Sequence, residues 1–279
     1  MSEAPLLIVE DLNVAFPNRG TTTQAVRNVS FSLGRERLGI VGESGSGKST
    51  TGRALLGLIP SPGIVQAKRI EFKGQNLIGL NEPQWQALRG QNISMVMQDP
   101  KYSLNPVIKV GHQIEETYLL HHRTTKADAQ QRTLKMLEAV KIRDPENVYH
   151  LYPHQLSGGM GQRAMIAMML ITEPDLLIAD EPTSALDVTV QNEVLRILDD
   201  LVTDRGMGLI FISHNLTIVS SFCDRVLVMY GGKIVEECKA SELHKAKHPY
   251  TQALTKAAPL LNHPVNELSV VTRDPEWLK

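Results

Sequence analysis

Two stretches of the chain, "GESGSGKST" at Gly42 to Thr50 and "LLIADEP" at Leu176 to Pro182, combine residue types and spacings suited to phosphate chemistry. The first fits G-x-x-x-x-G-K-[ST], between an apolar run and a helical pattern, the order a phosphate cradle requires. Backbone N–H groups of Gly42, Glu43, Ser44, Gly45, Ser46, Gly47 and Thr50 can wrap phosphates, Lys48 can reach the β and γ oxygens, and the Ser49 hydroxyl can ligate Mg²⁺. The second stretch puts two carboxylates at the end of an apolar run, where burial is costly unless a cation or a reaction uses them. Asp180 is placed to hold the Mg²⁺ shell, and Glu181 to polarise a water for attack on the γ-phosphate. A third stretch, "LSGGMGQR" at Leu156 to Arg163, is a glycine turn opening a helix: a second phosphate seat, without a lysine.

These residues need a scaffold, and the chain supplies one in short runs rich in Ile, Val and Leu: "LLIVEDL", "RLGIVG", "ISMVMQ", "LLIAD", "GLIFIS" and "RVLVMYGGKIVEE". Little alternation within a run is the pattern of strands buried on both faces of a parallel sheet, and most of the runs precede a helical pattern. An α/β core follows. Gln98 and His214 each stand just after such a run, and the ligand crevice of an open parallel sheet lies beyond the carboxyl ends of its strands, so both can face the γ-phosphate. Between Gln98 and Gln155 the texture turns helical, which predicts an inserted helical subdomain at about 99–170. From about Ser241 a helix-prone extension ends in a polar tail.

Composition narrows the classes of function. The 279 residues, 42% of them hydrophobic, can build a real core. Lys and Arg total 29 against 30 Asp and Glu, so no overall field favours nucleic acid or an anionic membrane. Two cysteines, Cys223 and Cys238, are too few for a disulfide framework and read as inert thiols. The N-terminus lacks the basic stretch of a signal peptide, and no apolar run reaches the roughly 18 to 20 residues that span a bilayer.

Taken in order, "GESGSGKST", "MQDPKYSLNP", "LSGGMGQR", "LLIADEP", "SALD" and "ISHN" resemble the Walker A, Q-loop, signature, Walker B, D-loop and H-switch of ABC transporter ATPases, and the resemblance covers almost the whole chain. It implies an α/β fold with a P-loop NTPase core, an N-terminal antiparallel β part, the inserted helical subdomain and a short C-terminal extension. The ATPase domain is expected over 1–240 and the extension over 241–279. In this family two ATPases pair head to tail, so Ser157, Gly158 and Gly159, with Asp187 of the D-loop, are expected to contact the ATP held by the partner's Walker A. That accounts for the missing lysine, since the partner's lysine and Mg²⁺ already meet the charge. The same resemblance places Phe16 against adenine and Gln98 beside Ser49 and Asp180 around Mg²⁺, with Glu181, His214 and Gln98 as catalytic groups.

"GIVGESGSGKS", "YPHQLSGGM" and "HPYTQAL" at His248 to Leu254 are similar to ATPases of the dipeptide, oligopeptide and nickel importer group. This implies a bacterial ABC importer taking up a peptide, nickel or a related small solute. Its ATPase lies on the cytoplasmic face of the inner membrane, with a second, usually non-identical ATPase, two membrane permease subunits and an extracytoplasmic solute-binding protein. The alternatives are a soluble ABC ATPase acting outside transport and an exporter motor; the first usually carries long coiled-coil insertions or two cassettes, and "HPYTQAL" favours import over export. Gly161 stands where the group commonly has arginine, and no cysteine follows Cys238, so no iron–sulfur cluster is expected.

Overall fold

The computed structural model describes residues 4–18, 20–98, 103–184, 186–257 and 277. The chain forms two compact units, one from residues 1–80 with 208–279 and one from 81–207. Residues 99–102 of the segment after Gln98, Ala185 of "SALD" and most of the polar tail lie outside the described residues.

In the first unit, strands β1 (Leu7–Asn18), β2 (Thr21–Leu33), β4 (Ile64–Gln66), β5 (Arg69–Phe72) and β6 (Gln75–Asn76) make an antiparallel sheet. The run "LLIVEDL" therefore belongs here and not to a parallel sheet. Its burial alternates: Leu7, Val9, Leu12 and Val14 are buried while their neighbours face outward, the pattern of a strand covered on one face. The step from Val9 to Leu12 skips a residue because Asp11 forms a bulge at φ 53, its N–H donated to the Ser30 hydroxyl.

The parallel core of this unit is β3 (Arg37–Val41), flanked by β9 (Gly208–Ile212) and β10 (Arg225–Tyr230), with β11 (Lys233–Lys239) antiparallel at the outer edge. The Gly231–Gly232 pair, both at positive φ, makes the tight turn from β10 to β11. Helices α1 (Lys48–Leu55) and α8 (Leu216–Phe222) follow β3 and β9. Asn215 starts α8 by accepting the Ile218 N–H. Burial, with Asp224 alongside, pushes the Cys223 thiol up to about 12, so it stays protonated as an inert core group. A short 3₁₀ segment, Ala240–Lys245, leads into α9 (Pro249–Ala257).

The second unit pairs β7 (Ile93–Val96) in parallel with β8 (Leu176–Asp180). Every residue of both strands is buried, which is why they read as mostly apolar runs with little alternation, only Ser94 and Asp180 being polar. Helix α2 (Glu82–Leu88) opens on a reciprocal cap between Asn81 and Gln84. Helices α3 (Val110–His121), α4 (Lys126–Ala139), α5 (Pro145–His150) and α6 (Gly158–Leu170) lie in the region whose sequence turns helical. Helix α7 (Val188–Arg205) buries Val194, Ile197, Leu198, Leu201 and Val202, one stripe at helical spacing, and stops at Gly206 in the left-handed conformation.

Candidate functional site

The phosphate loop of the first unit runs from the end of β3 into α1. Gly42 has φ 150, and a Cβ there would lie 2.2 Å from the Met229 carbonyl oxygen of β10; at Gly47, φ 101, it would lie 2.4 Å from the Ala25 oxygen of β2. Only glycine permits so close an approach, so the loop is pressed into the sheet and its tip, Ser44 and Gly45, is left exposed. Lys48 is 6% exposed, and its ammonium donates to the carbonyl oxygens of Gly42 at 2.7 Å and Glu43 at 2.8 Å. Glu43 also accepts the Ser46 N–H, and the Ser46 carbonyl accepts the Gly232 N–H from the β10–β11 turn. The Glu43 N–H is donated to the hydroxyl of Tyr250, a contact that sequence reasoning did not find. Ser49 and Thr50 are half-buried in the first turn of α1. His214 lies exposed just beyond β9, and Phe16 sits half-buried on β1 opposite Thr23, its ring beside Gly63.

The second unit carries the acidic pair. Asp180, 4% exposed, ends β8, and Glu181 follows at φ 48. A non-glycine residue in the left-handed region costs roughly 1–3 kcal/mol and persists where its surroundings over-determine it. Here that backbone turns the carboxylate toward Gln98, whose amide nitrogen donates to Glu181 Oε2 at 2.9 Å. Two of the three residues that sequence reasoning assigned to the γ-phosphate, Gln98 and Glu181, are thus brought together.

The signature turn belongs to the same unit. Ser157 caps α6, its hydroxyl accepting the Met160 N–H at 3.4 Å. Gly159 packs tightly, since a Cβ there would lie 2.7 Å from Val190 of α7, whereas a Cβ on Gly158 would meet nothing within 4 Å among the described residues. Asp187 caps α7 by accepting the Val190 N–H. Two further residues make contacts that have no local sequence signal. Gln162, 3% exposed, donates from its side-chain amide to the Pro182 carbonyl, one residue beyond Glu181. Arg163 donates to the Lys141 carbonyl and pairs with Glu193 at 2.7 Å.

The family model described as ABC transporter matches residues 26–184. The dipeptide transport ATP-binding protein DppD of Haemophilus influenzae is 46% identical over 256 residues, 91% of this chain and 78% of that protein. The oligopeptide transport ATP-binding protein OppD of Bacillus subtilis is also 46% identical, over 259 residues, 92% of this chain and 72% of that one. The dimeric post-hydrolysis state of the ATP-binding cassette MJ0796, bound to ADP and Pi, shares the fold with TM-score 0.75 at 24% identity, covering 84% of this chain and 98% of that one. With a lysine-bearing phosphate loop in one unit and a positioned carboxylate in the other, the chain belongs to the ABC transporter family, as an ATPase of the group that includes the dipeptide and oligopeptide transport ATP-binding proteins.

Proposed function

We propose that the chain drives peptide uptake, hydrolysing ATP beneath partner membrane subunits in a bacterial importer. The observation that carries the hydrolytic role is the Glu181 carboxylate, held at the end of a buried strand by the Gln98 amide. An acceptor so positioned orients a water toward a γ-phosphate and takes its proton, while Gln98 senses the same phosphate from the start of the segment that leads into the helices. The peptide cargo is supported by the names of the relatives, which are peptide transport proteins. The test is uptake into proteoliposomes that hold this ATPase, its second ATPase and the co-encoded permeases, with the binding protein outside. ATP-dependent accumulation of a labelled di- to pentapeptide is expected; accumulation of nickel alone would refute the cargo.

The hydroxyl of Ser49, the carboxylate of Asp180 and the amide oxygen of Gln98 are hard oxygen donors, the set Mg²⁺ prefers. These three residues would hold Mg²⁺, which when bound neutralises charge on the β- and γ-phosphates. The chain's own groups do the rest: the loop amides and Lys48 bind, Glu181 accepts the proton, and His214 contacts the γ-phosphate from beyond β9. Among the described residues no helix is long and apolar enough to cross a membrane. In the proposed importer the chain works against a permease pair at the cytoplasmic face of the inner membrane, with an extracytoplasmic binding protein delivering cargo, a reading supported by the transport ATP-binding relatives.

The signature turn serves the partner's ATP. Gly158 is exposed, and a Cβ there would meet nothing within 4 Å among the described residues, so the turn leaves room for a group that approaches from outside. Ser157→Arg adds bulk and charge at that point while leaving the phosphate loop untouched. It is expected to keep this chain's primary ATP affinity and to abolish nucleotide-driven pairing, read by photoaffinity labelling of each ATPase before and after trapping. Loss of primary labelling at this chain's own loop, with the partner's intact, would assign the signature to its own nucleotide.

A further inference from the structure

The segment His248–Leu254 is built to hold one side chain still. The Glu236 carboxylate on β11 accepts the N–H groups of Lys247 at 2.6 Å and His248 at 3.3 Å, occupying donors that the start of α9 would otherwise leave open. His248 Nδ1 accepts the Tyr250 N–H at 3.2 Å, Pro249 opens the helix, and the Gln252 amide donates to the Ala246 carbonyl. Tyr250, fixed at both ends of this turn, has no exposed surface. Its ring lies 4.4 Å from the Tyr230 ring at the end of β10, and Trp277 packs against both rings at 5.4 and 5.5 Å.

The Tyr250 hydroxyl meets the phosphate loop, accepting the Glu43 N–H at 2.9 Å. That N–H belongs to the peptide between Gly42 and Glu43, and the carbonyl of the same peptide accepts the Lys48 ammonium at 2.7 Å. One rigid plane therefore has Tyr250 on one edge and Lys48 on the other. Gly42 cannot fix that plane by itself, because a residue without a side chain turns easily about its backbone. The bond is part-buried and its acceptor, on the fully buried Tyr250, is fixed in place, so the hydroxyl sets the orientation of the plane.

We propose that Tyr250 is a positioning residue for ATP: its hydroxyl orients the Gly42–Glu43 peptide, and through it Lys48, so that the C-terminal segment sets the affinity of the phosphate loop. The inference rests on Gly42–Thr50 being the ATP loop. Neither Tyr250 nor Trp277 touches the nucleotide in this scheme; they act through the loop.

The test compares the full-length wild type with Tyr250→Phe, Trp277→Ala and Lys48→Ala. ATP affinity is measured by calorimetry, AMP affinity by saturation-transfer NMR, and thermal midpoint by calorimetric scanning. Tyr250→Phe keeps the ring packing and removes the acceptor. It should weaken ATP binding roughly 3- to 10-fold, the usual worth of one hydrogen bond, and leave AMP binding unchanged because AMP lacks the β- and γ-phosphates. Trp277→Ala, which removes packing but keeps the hydroxyl, should show the same selectivity with a smaller loss, and it decides the matter if Tyr250→Phe does not fold. Unchanged ATP affinity in these variants, while Lys48→Ala loses it, would overturn the role of Tyr250 and leave the loop assignment standing. Parallel weakening toward ATP and AMP with a lowered midpoint would reduce Tyr250 to a packing residue and equally overturn the proposal. Wild-type ATP affinity in Lys48→Ala would remove the loop assignment itself.

Discussion

Lys48→Ala is expected to lower ATP affinity by about 10²- to 10⁴-fold, the loss of two charge-assisted hydrogen bonds at roughly 1.5–3 kcal/mol each. The ammonium is almost fully buried and held by two loop carbonyls, so it is already placed and little side-chain entropy opposes its use by phosphate. Alanine removes the point charge without strain, because position 48 is in the first turn of α1 and alanine is a good helix former. Calorimetric titration of the purified variant gives the answer. Affinity within a few-fold of wild type would mean the β- and γ-phosphate charge is met elsewhere.

The second large effect is on rate. Glu181→Gln should keep ATP affinity near wild type while turnover by the assembled complex falls roughly 10²- to 10⁴-fold, the usual contribution of a general base. The substitution is close to isosteric, and its side-chain carbonyl can still accept from the Gln98 amide, so geometry survives and basicity does not. Phosphate release and ATP titration on the same preparation separate the two quantities. Turnover within a few-fold of wild type would move the base to another residue; a matching loss of affinity would show that the carboxylate serves binding.

The core strands β3, β7, β8, β9 and β10 were legible in the sequence because nearly every residue in them is buried, and such strands must be written as apolar runs. Strand β2 was not. Its sequence "TTTQAVRNVSFSL" exposes most of its first half, and only Val26, Val29, Phe31 and Leu33 point inward, too sparse a signal beside its threonines and serines. The phosphate loop was readable because its lysine bonds lie within six residues of one another. The Tyr250 contact joins positions 207 residues apart, and the Gln162 contact positions 20 apart. No local spacing encodes such pairs, so "HPYTQAL" could be recognised as a family mark without its tyrosine being assigned a task.

The bond from Gln162 to the Pro182 carbonyl bears on the timing of the transport cycle. It is buried, and leaving either group without a partner costs about 1–3 kcal/mol, so the start of α6 follows any displacement of the residues after Glu181. A shift at position 182 when phosphate departs would thus be passed, within one hydrogen bond, to the helix that the signature turn opens, the turn proposed to meet a second ATPase. On the proposed head-to-tail pairing, each spent site would loosen the grip on its neighbour's fuel, and neither could idle unnoticed by the other.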